Sequence, residues 1–325
     1  MVGIRKKVLV TYNMFRPGYS ELIKKYDVTF PPEGKESFSY DEVLDMISEY
    51  DALQSMFNFP VDKQLIDAAP KLKIISNYAV GYDNIDISYA TKKGIQVTNT
   101  PDPVTEPTAD QAMGLILSVC RRISELDRRL RIPGAVKVEL LGNLGLSLYG
   151  KTIGIIGMGR IGQALARRAL SSGMKVVYHN RRRLEPAIEN LYNATFLSLD
   201  ELLMRSDIVS VNAPFSKETY HLIGERELGL MKSQAVLINT ARGPLVDEKA
   251  LIEALKGKAI WGAGLDVFEF GDYPSPELLE MDNVVMNPHT GTQTIDVRHE
   301  MAAYVSRNII NFFEGNGPVA KVNLK

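Results

Sequence analysis

The stretch Thr152-Ile153-Gly154-Ile155-Ile156-Gly157-Met158-Gly159-Arg160-Ile161-Gly162 decides the fold. Its first five residues are a short apolar run of the kind expected for a buried parallel strand. Three glycines in the spacing GxGxxG follow. Gln163 to Leu170 then reads as a helix closed by Gly173, and Lys175 to His179 as the next strand. Strand, tight turn, helix and strand make a βαβ unit, the setting in which this glycine spacing binds a dinucleotide. Gly157 makes the turn, Gly159 admits the pyrophosphate, and Gly162 lets the helix lie close to the strand. Arg160 and Ile161 open that helix, whose N-terminal N–H groups and dipole favour an anion.

The residue ending the second strand sorts the two nicotinamide dinucleotides. An acid there accepts hydrogen bonds from the ribose hydroxyls and repels a 2′-phosphate. This chain instead has Asn180, followed by Arg181, Arg182 and Arg183. Guanidinium groups suit a phosphate dianion through paired N–H donors. Arginine loops are also often merely solvated. The missing acid and the added cations together point to NADP(H), with NAD(H) left open.

At 325 residues the chain suits two domains. A net charge of -1 offers no general attraction to nucleic acid or acidic membranes, so the arginine run is local. One cysteine, Cys120, rules out an intramolecular disulfide and a cysteine-based metal site, and no metal is expected. No apolar run approaches a membrane span, and no signal region is visible, so a cytoplasmic location is expected.

Residues before the glycine motif carry their own α/β pattern. Strands are predicted at Val8–Thr11, Asp51–Met56, Leu72–Ser76 and Ile95–Thr98, with helices at 39–50 and 62–69. The proline-rich segment 99–107 opens a predicted long helix over 108–131, stopped by Pro133-Gly134. Residues 132–149 read as an extended arm. A last helix over 294–314 is long enough to return to the first domain.

Ligands of open α/β sheets bind beyond the carboxyl ends of the strands. In the second half those ends carry Asn212-Ala213-Pro214, Thr240-Ala241-Arg242-Gly243 and Asn287-Pro288-His289-Thr290-Gly291. A planar guanidinium such as Arg242 can bind a ketoacid's carboxylate and polarise its carbonyl. Of the four histidines, only His289 lies on a glycine-bearing loop, and imidazole is a natural proton donor near neutral pH.

With these stretches in place, the chain resembles the D-isomer-specific 2-hydroxyacid dehydrogenases over almost its whole length. The resemblance rests on Ala79-Val80-Gly81-Tyr82-Asp83-Asn84-Ile85-Asp86, Asn99-Thr100-Pro101, Thr108-Ala109-Asp110, the glycine motif, Asn239 to Gly243, Gly264 to Glu269 and Asn287 to Gly291. Thr108-Ala109-Asp110 and the basic loop lean toward the glyoxylate/hydroxypyruvate reductase branch. The implied fold is α/β with two doubly wound parallel-sheet domains. One is a Rossmann dinucleotide-binding domain at 102–289, and the other a smaller flavodoxin-like substrate domain built from 1–101 and 290–325.

The implied reaction is reduction of a small 2-ketoacid by hydride transfer. Arg242 would bind the substrate, and His289 would be the acid/base. The backbone N–H groups of Val80 and Gly81 would meet the carboxylate, and Phe57, Asn58 and Tyr78 are pocket candidates. Asp266 would hold the nicotinamide carboxamide, Pro214 and Thr240 would line the cofactor cleft, and Arg160 would help at the pyrophosphate. A homodimer is implied as well. A D-lactate-like or branched-chain ketoacid reductase remains open, as does a dinucleotide-binding regulator with weak or no catalysis.

One departure stands out. The family places a glutamate five residues after the aspartate of its Leu-Asp-Val motif, beside the catalytic histidine, and here that position is Gly271. A neighbouring carboxylate raises a histidine pKa. Asp272, and after it Glu269, are the acids that could replace it.

Overall fold

The computed structural model describes residues 5–56 and 58–323. The chain divides into two compact units, Met1–Val104 with Thr292–Lys325, and Thr105–Gly291.

In the first unit the strands are β1 (Lys7–Val10), β2 (Asp27–Thr29), β3 (Ala52–Met56), β4 (Ile74–Tyr78) and β5 (Gln96–Thr98). They form one sheet in the order β2-β1-β3-β4-β5, with every pairing parallel. The sheet is buried on both faces, so every residue of β3 and β4 is buried, the polar Gln54, Ser55, Ser76 and Asn77 included. One face packs Leu53, Ile75 and Val97 against Val43, Ile47 and Leu65. The other packs Val8, Val10 and Ile74 against Val297, Met301, Val305 and Ile309. Those four lie on the helix Ile295–Phe313, so the end of the chain does return to the first unit. β2 escaped the sequence reading because it is only three residues long and has no fully buried member.

The second unit holds β6 (Thr152–Ile156), β7 (Lys175–His179), β8 (Ala194–Phe196), β9 (Ile208–Val211), β10 (Val236–Asn239), β11 (Gly262–Leu265) and β12 (Val284–Met286). Their order is β12-β11-β10-β9-β6-β7-β8, again all parallel. The winding direction reverses between β6 and β9, the crevice where doubly wound sheets take ligands.

The predicted helix over 108–131 is corrected to two helices, Thr105–Arg121 and Ile123–Leu130. Arg122 between them has φ +58°, a left-handed conformation that ends the first helix. Its guanidinium reaches forward to both oxygens of Glu125, at 2.6 and 2.7 Å, and to the carbonyl of Leu144 at 3.2 Å. Hydrophobic periodicity runs through such a break, so the pattern alone could not reveal it. Cys120 is buried in this helix, and burial pushes its thiol up to about 12. Among the described residues no helix is long and apolar enough to cross a membrane.

Candidate active site

The glycine turn after β6 shows a separate reason for each glycine. Gly157 has φ +94°, and a Cβ there would meet the Ala213 amide nitrogen at 2.7 Å. Gly162 faces the Gly157 carbonyl too closely for any side chain. At Gly159 a Cβ would meet nothing within 4 Å, so there the surface is open rather than crowded. Gly159 is also the N-cap of the helix Arg160–Ser171 and supplies no side-chain acceptor to its first-turn amides. Asn180 Oδ1 accepts the Met158 N–H at 2.7 Å and so braces the turn.

Two buried polar atoms near this crevice have no partner among the described residues. They are Asn212 Oδ1, after β9, and Thr240 Oγ1, after β10. Buried polar groups are nearly always hydrogen-bonded, so orphans at strand ends call for a ligand. The open cradle at Gly159 and these two atoms fit a bound dinucleotide. Pro214 is exposed on the same loop as Asn212, and its carbonyl accepts the Thr219 hydroxyl at 2.9 Å.

Arg181 and Arg182 are exposed and make no hydrogen bond among the described residues. Arg183 differs from them. It donates to both oxygens of Glu189, at 2.8 and 2.9 Å, and Tyr178 Oη donates to the same carboxylate at 2.6 Å. The Arg183 guanidinium, then the Tyr178 hydroxyl, holds the Glu189 carboxyl below its usual value. Arg183 therefore anchors the loop that presents the other two.

The loops carrying Arg242 and His289 are knitted together past the ends of their strands. Asp266 N–H donates to Asn239 O at 2.9 Å, Asn287 N–H to Leu265 O at 2.9 Å, and His289 N–H to Asp266 O at 2.9 Å. The Asp266 side chain adds a second tie, accepting the N–H groups of Thr290 at 2.8 Å and Gly291 at 2.9 Å. His289 has φ +53°, uncommon outside glycine, and this tie holds it there. Burial pushes the Asp266 carboxyl up, partly opposed by those two N–H donors. Asp266 was expected to face the nicotinamide; what the structure shows is its carboxylate anchoring the histidine loop.

Asn239, given no role of its own in the sequence reading, shapes the arginine turn. It is buried, donates to the Arg242 carbonyl at 2.9 Å and accepts the Ala241 N–H at 3.1 Å. Arg242 itself is half-buried, and its guanidinium also donates to the Ala241 carbonyl at 2.8 Å.

Neither acid offered in place of the missing glutamate is brought to His289. Glu269 is committed elsewhere, to His221 at 2.5 Å and to the Glu248 N–H at 3.0 Å. Asp272 is exposed and makes no hydrogen bond among the described residues. Gly271 has φ +125°, a region that side chains rarely adopt, so the turn itself is built without a glutamate at that position.

In the first unit, the loop after β4 carries Val80 and Gly81. Their carbonyls are taken by side-chain amides, from Asn99 at 2.8 Å and Asn77 at 2.7 Å. Neither of their N–H groups has an acceptor among the described residues. Asn84 ties this loop to the one after β3 by donating to Met56 O at 2.9 Å and Phe59 O at 2.8 Å. Asn58 is exposed and accepts from Tyr12 at 2.9 Å, while Phe57 lies outside the described residues. Tyr78 is a core residue rather than a pocket residue. It is 1% exposed, donates to the Arg298 carbonyl at 2.6 Å, and its hydroxyl is pushed up to about 12 by burial.

Comparison with known proteins gives a consistent result. Residues 113–291 match the family model described as D-isomer specific 2-hydroxyacid dehydrogenase, NAD binding domain. A glyoxylate reductase from Thermococcus litoralis is 47% identical, covering 98% of this chain and 97% of the relative. A crystal structure of a glyoxylate reductase from Paecilomyes thermophila superposes with a TM-score of 0.89 at 34% identity, covering 98% of each chain. An NADPH-dependent glyoxylate/hydroxypyruvate reductase from Sinorhizobium meliloti, solved with NADP and malonate, gives 0.84 at 31% identity, covering 98% of this chain and 97% of that one.

Proposed function

Because the chain belongs to the D-isomer specific 2-hydroxyacid dehydrogenase family, we propose that it reduces small 2-ketoacids of the glyoxylate and hydroxypyruvate kind to D-2-hydroxyacids, with NADPH preferred over NADH. Its coarser identity, an NAD(P)-dependent 2-ketoacid reductase resembling glyoxylate reductases, is carried by the family match and the full-length relatives. The structural observation that supports the chemistry is the knit of loops in which Asp266 joins the Arg242 turn to the His289 turn.

Bound NADPH would supply a hydride to the carbonyl carbon. The Arg242 guanidinium holds the substrate carboxylate with one edge and draws charge onto the carbonyl oxygen with another. His289 delivers the proton to that oxygen as negative charge develops, so carbon gains the hydride and oxygen the proton. The N–H groups of Val80 and Gly81 would offer the carboxylate a second contact, as the family resemblance implies. Gly157, Gly159, Arg160, Ile161 and Gly162 would hold the pyrophosphate, with Thr240, Pro214 and Asp266 along the rest of the dinucleotide.

The NADPH preference rests on what Asn180 has left to offer. One lone pair of its oxygen accepts the Met158 N–H, and as a neutral amide it carries no negative charge to pair with both ribose hydroxyls or to repel a 2′-phosphate. Beside it Arg181 and Arg182 stand exposed, with Arg183 bracing their loop. Steady-state reduction of glyoxylate, hydroxypyruvate, pyruvate and a branched-chain ketoacid with each cofactor tests both parts. Turnover of glyoxylate or hydroxypyruvate with a higher kcat/KM for NADPH is expected. Preference for the bulkier acids, or for NADH, overturns the respective part.

The functional unit we propose is a homodimer joined through the second unit. The arm over 132–149 exposes Val138 fully, Leu140 at 94% and Leu141 at 79%, an apolar run that water covers poorly. In the same unit a cavity of about 610 Å³ is lined by Val119, Ile260, Trp261 and Val285 together with the charged Arg122, Glu125, Arg129, Lys258 and Asp282. A solution mass of two chains is expected, and Leu140→Glu with Leu141→Glu is expected to yield single chains; an unaltered mass in the double variant refutes this role for the arm.

A further inference from the structure

We propose that His221 is a positioning residue for Arg242, acting through Glu269; this rests on Arg242 being the carboxylate-binding group. The turn that begins at Arg242 is held from three sides. On its inner side Asn239 takes both the Arg242 carbonyl and the Ala241 N–H. On the second side lies the segment 221–223. His221 N–H donates to Pro244 O at 2.9 Å, Ile223 N–H to Leu245 O at 3.0 Å, and Asp247 N–H returns to Ile223 O at 2.9 Å. On the third side the backbone of Phe268 and Glu269 presses so closely on Gly243 that no Cβ fits.

The second and third sides come from segments some 45 residues apart in the chain and are not paired in the sheet. The shorter side-chain link between them is His221 Nε2 to Glu269 Oε1, at 2.5 Å, with the neighbouring Tyr220 hydroxyl donating to the same oxygen at 3.4 Å. Glu269 is well placed to pass this on. Its other oxygen takes the Glu248 N–H at 3.0 Å, and the Glu248 carboxylate takes the Glu269 N–H at 2.9 Å and the Ser275 N–H at 3.1 Å. The His221 side chain is 29% exposed and Glu269 7%, so the pair is only partly screened by water.

The His221 backbone is left-handed, at φ +50°, a conformation non-glycine residues hold only when their surroundings fix it. The other groups facing the ring are Asp247, whose oxygen is 3.5 Å from Nδ1, and Tyr220, stacked at 3.9 Å between centroids. Asp247 also caps the following helix by accepting the Ala250 N–H at 3.0 Å. The cluster is thus committed to backbone groups, and what it fixes is the turn from which the Arg242 side chain departs.

The test separates side chain from backbone. Asparagine tolerates the left-handed conformation but is too short to reach Glu269, whereas glutamine extends about as far as Nε2. In His221→Asn the ketoacid KM should rise and kcat fall, together lowering kcat/KM on the order of 10–100-fold, as a displacement of about 1 Å does. The NADPH dissociation constant should stay unchanged, and amide exchange over residues 241–246 should accelerate. His221→Gln should recover part of both losses. Wild-type kinetics and unchanged exchange in His221→Asn overturn the proposal. Should that variant not fold, Glu269→Gln is read the same way: raised KM supports the clamp, and wild-type kinetics refute it. If the wild-type enzyme turns over none of the ketoacids, the proposed function fails, while exchange over 241–246 still judges the clamp by itself.

Discussion

Replacing Gly243 with alanine should disable the enzyme while leaving its cofactor cradle intact. Gly243 follows Arg242, the proposed substrate-binding residue, and its backbone is pressed against the peptide joining Phe268 to Glu269. A Cβ at 243 would lie 2.6 Å from the Glu269 nitrogen and nearer still to the Phe268 carbonyl, where about 3.4 Å is ordinary contact. Both neighbours are backbone, so no side chain can swing away. The turn must retreat by about 1 Å or more, a displacement that at a catalytic site costs roughly 100-fold in rate.

The strain also lowers stability, by about 1–3 kcal/mol as for overpacked cores. At roughly 2–4 °C per kcal/mol for a domain of this size, the melting temperature should fall by a few degrees at least. The assay is NADPH oxidation with a saturating ketoacid, alongside NADPH binding by fluorescence. The expected result is a kcat/KM down about 100-fold with NADPH affinity within about twofold of wild type. Full activity in Gly243→Ala would refute the claim that the Arg242 turn is fixed by this close approach.

Other perturbations probe the remaining parts. Asp266→Asn should slow turnover by loosening the His289 loop. Since burial raises the Asp266 pKa in the fold, its stabilising contribution is full below the unfolded value, 3.8, and is lost as pH rises through the folded value. The melting temperature of Asp266→Asn relative to wild type should therefore improve from acid toward neutral pH, and a constant difference would contradict the assignment. Arg181→Ala combined with Arg182→Ala should lower kcat/KM for NADPH about tenfold or more and spare NADH, since paired guanidinium–phosphate bonds are lost. Equal losses for both cofactors would refute that. Asp272→Asn should leave the pH profile of ketoacid reduction unchanged, because Asp272 is exposed and bonded to nothing among the described residues; a shifted profile would show that it partners His289 after all.

The α/β class and the glycine turn were legible because each rests on local chemistry. The apolar run at 152–156 and the glycines at 157, 159 and 162 have no other common use in that order. Asn180 was legible as a missing acid, but its bond to Met158 depends on a turn folding back 22 residues along the chain. The helix break at Arg122 was hidden because apolar spacing continues through it. What holds Arg242 and His289 was less legible still. Asn239 and Asp266 act on backbone groups, and His221 reaches Glu269 across 48 residues. A single sequence records which residues are present and leaves such distant pairings to the fold.

The central claim is that His289 moves the proton while hydride reduces the ketoacid. The most direct test is His289→Gln, with kcat and NADPH affinity measured on the same preparation. The account predicts a kcat lower by about 100- to 10,000-fold with NADPH affinity unchanged. A variant that binds NADPH and turns over the ketoacid at the wild-type rate would contradict it.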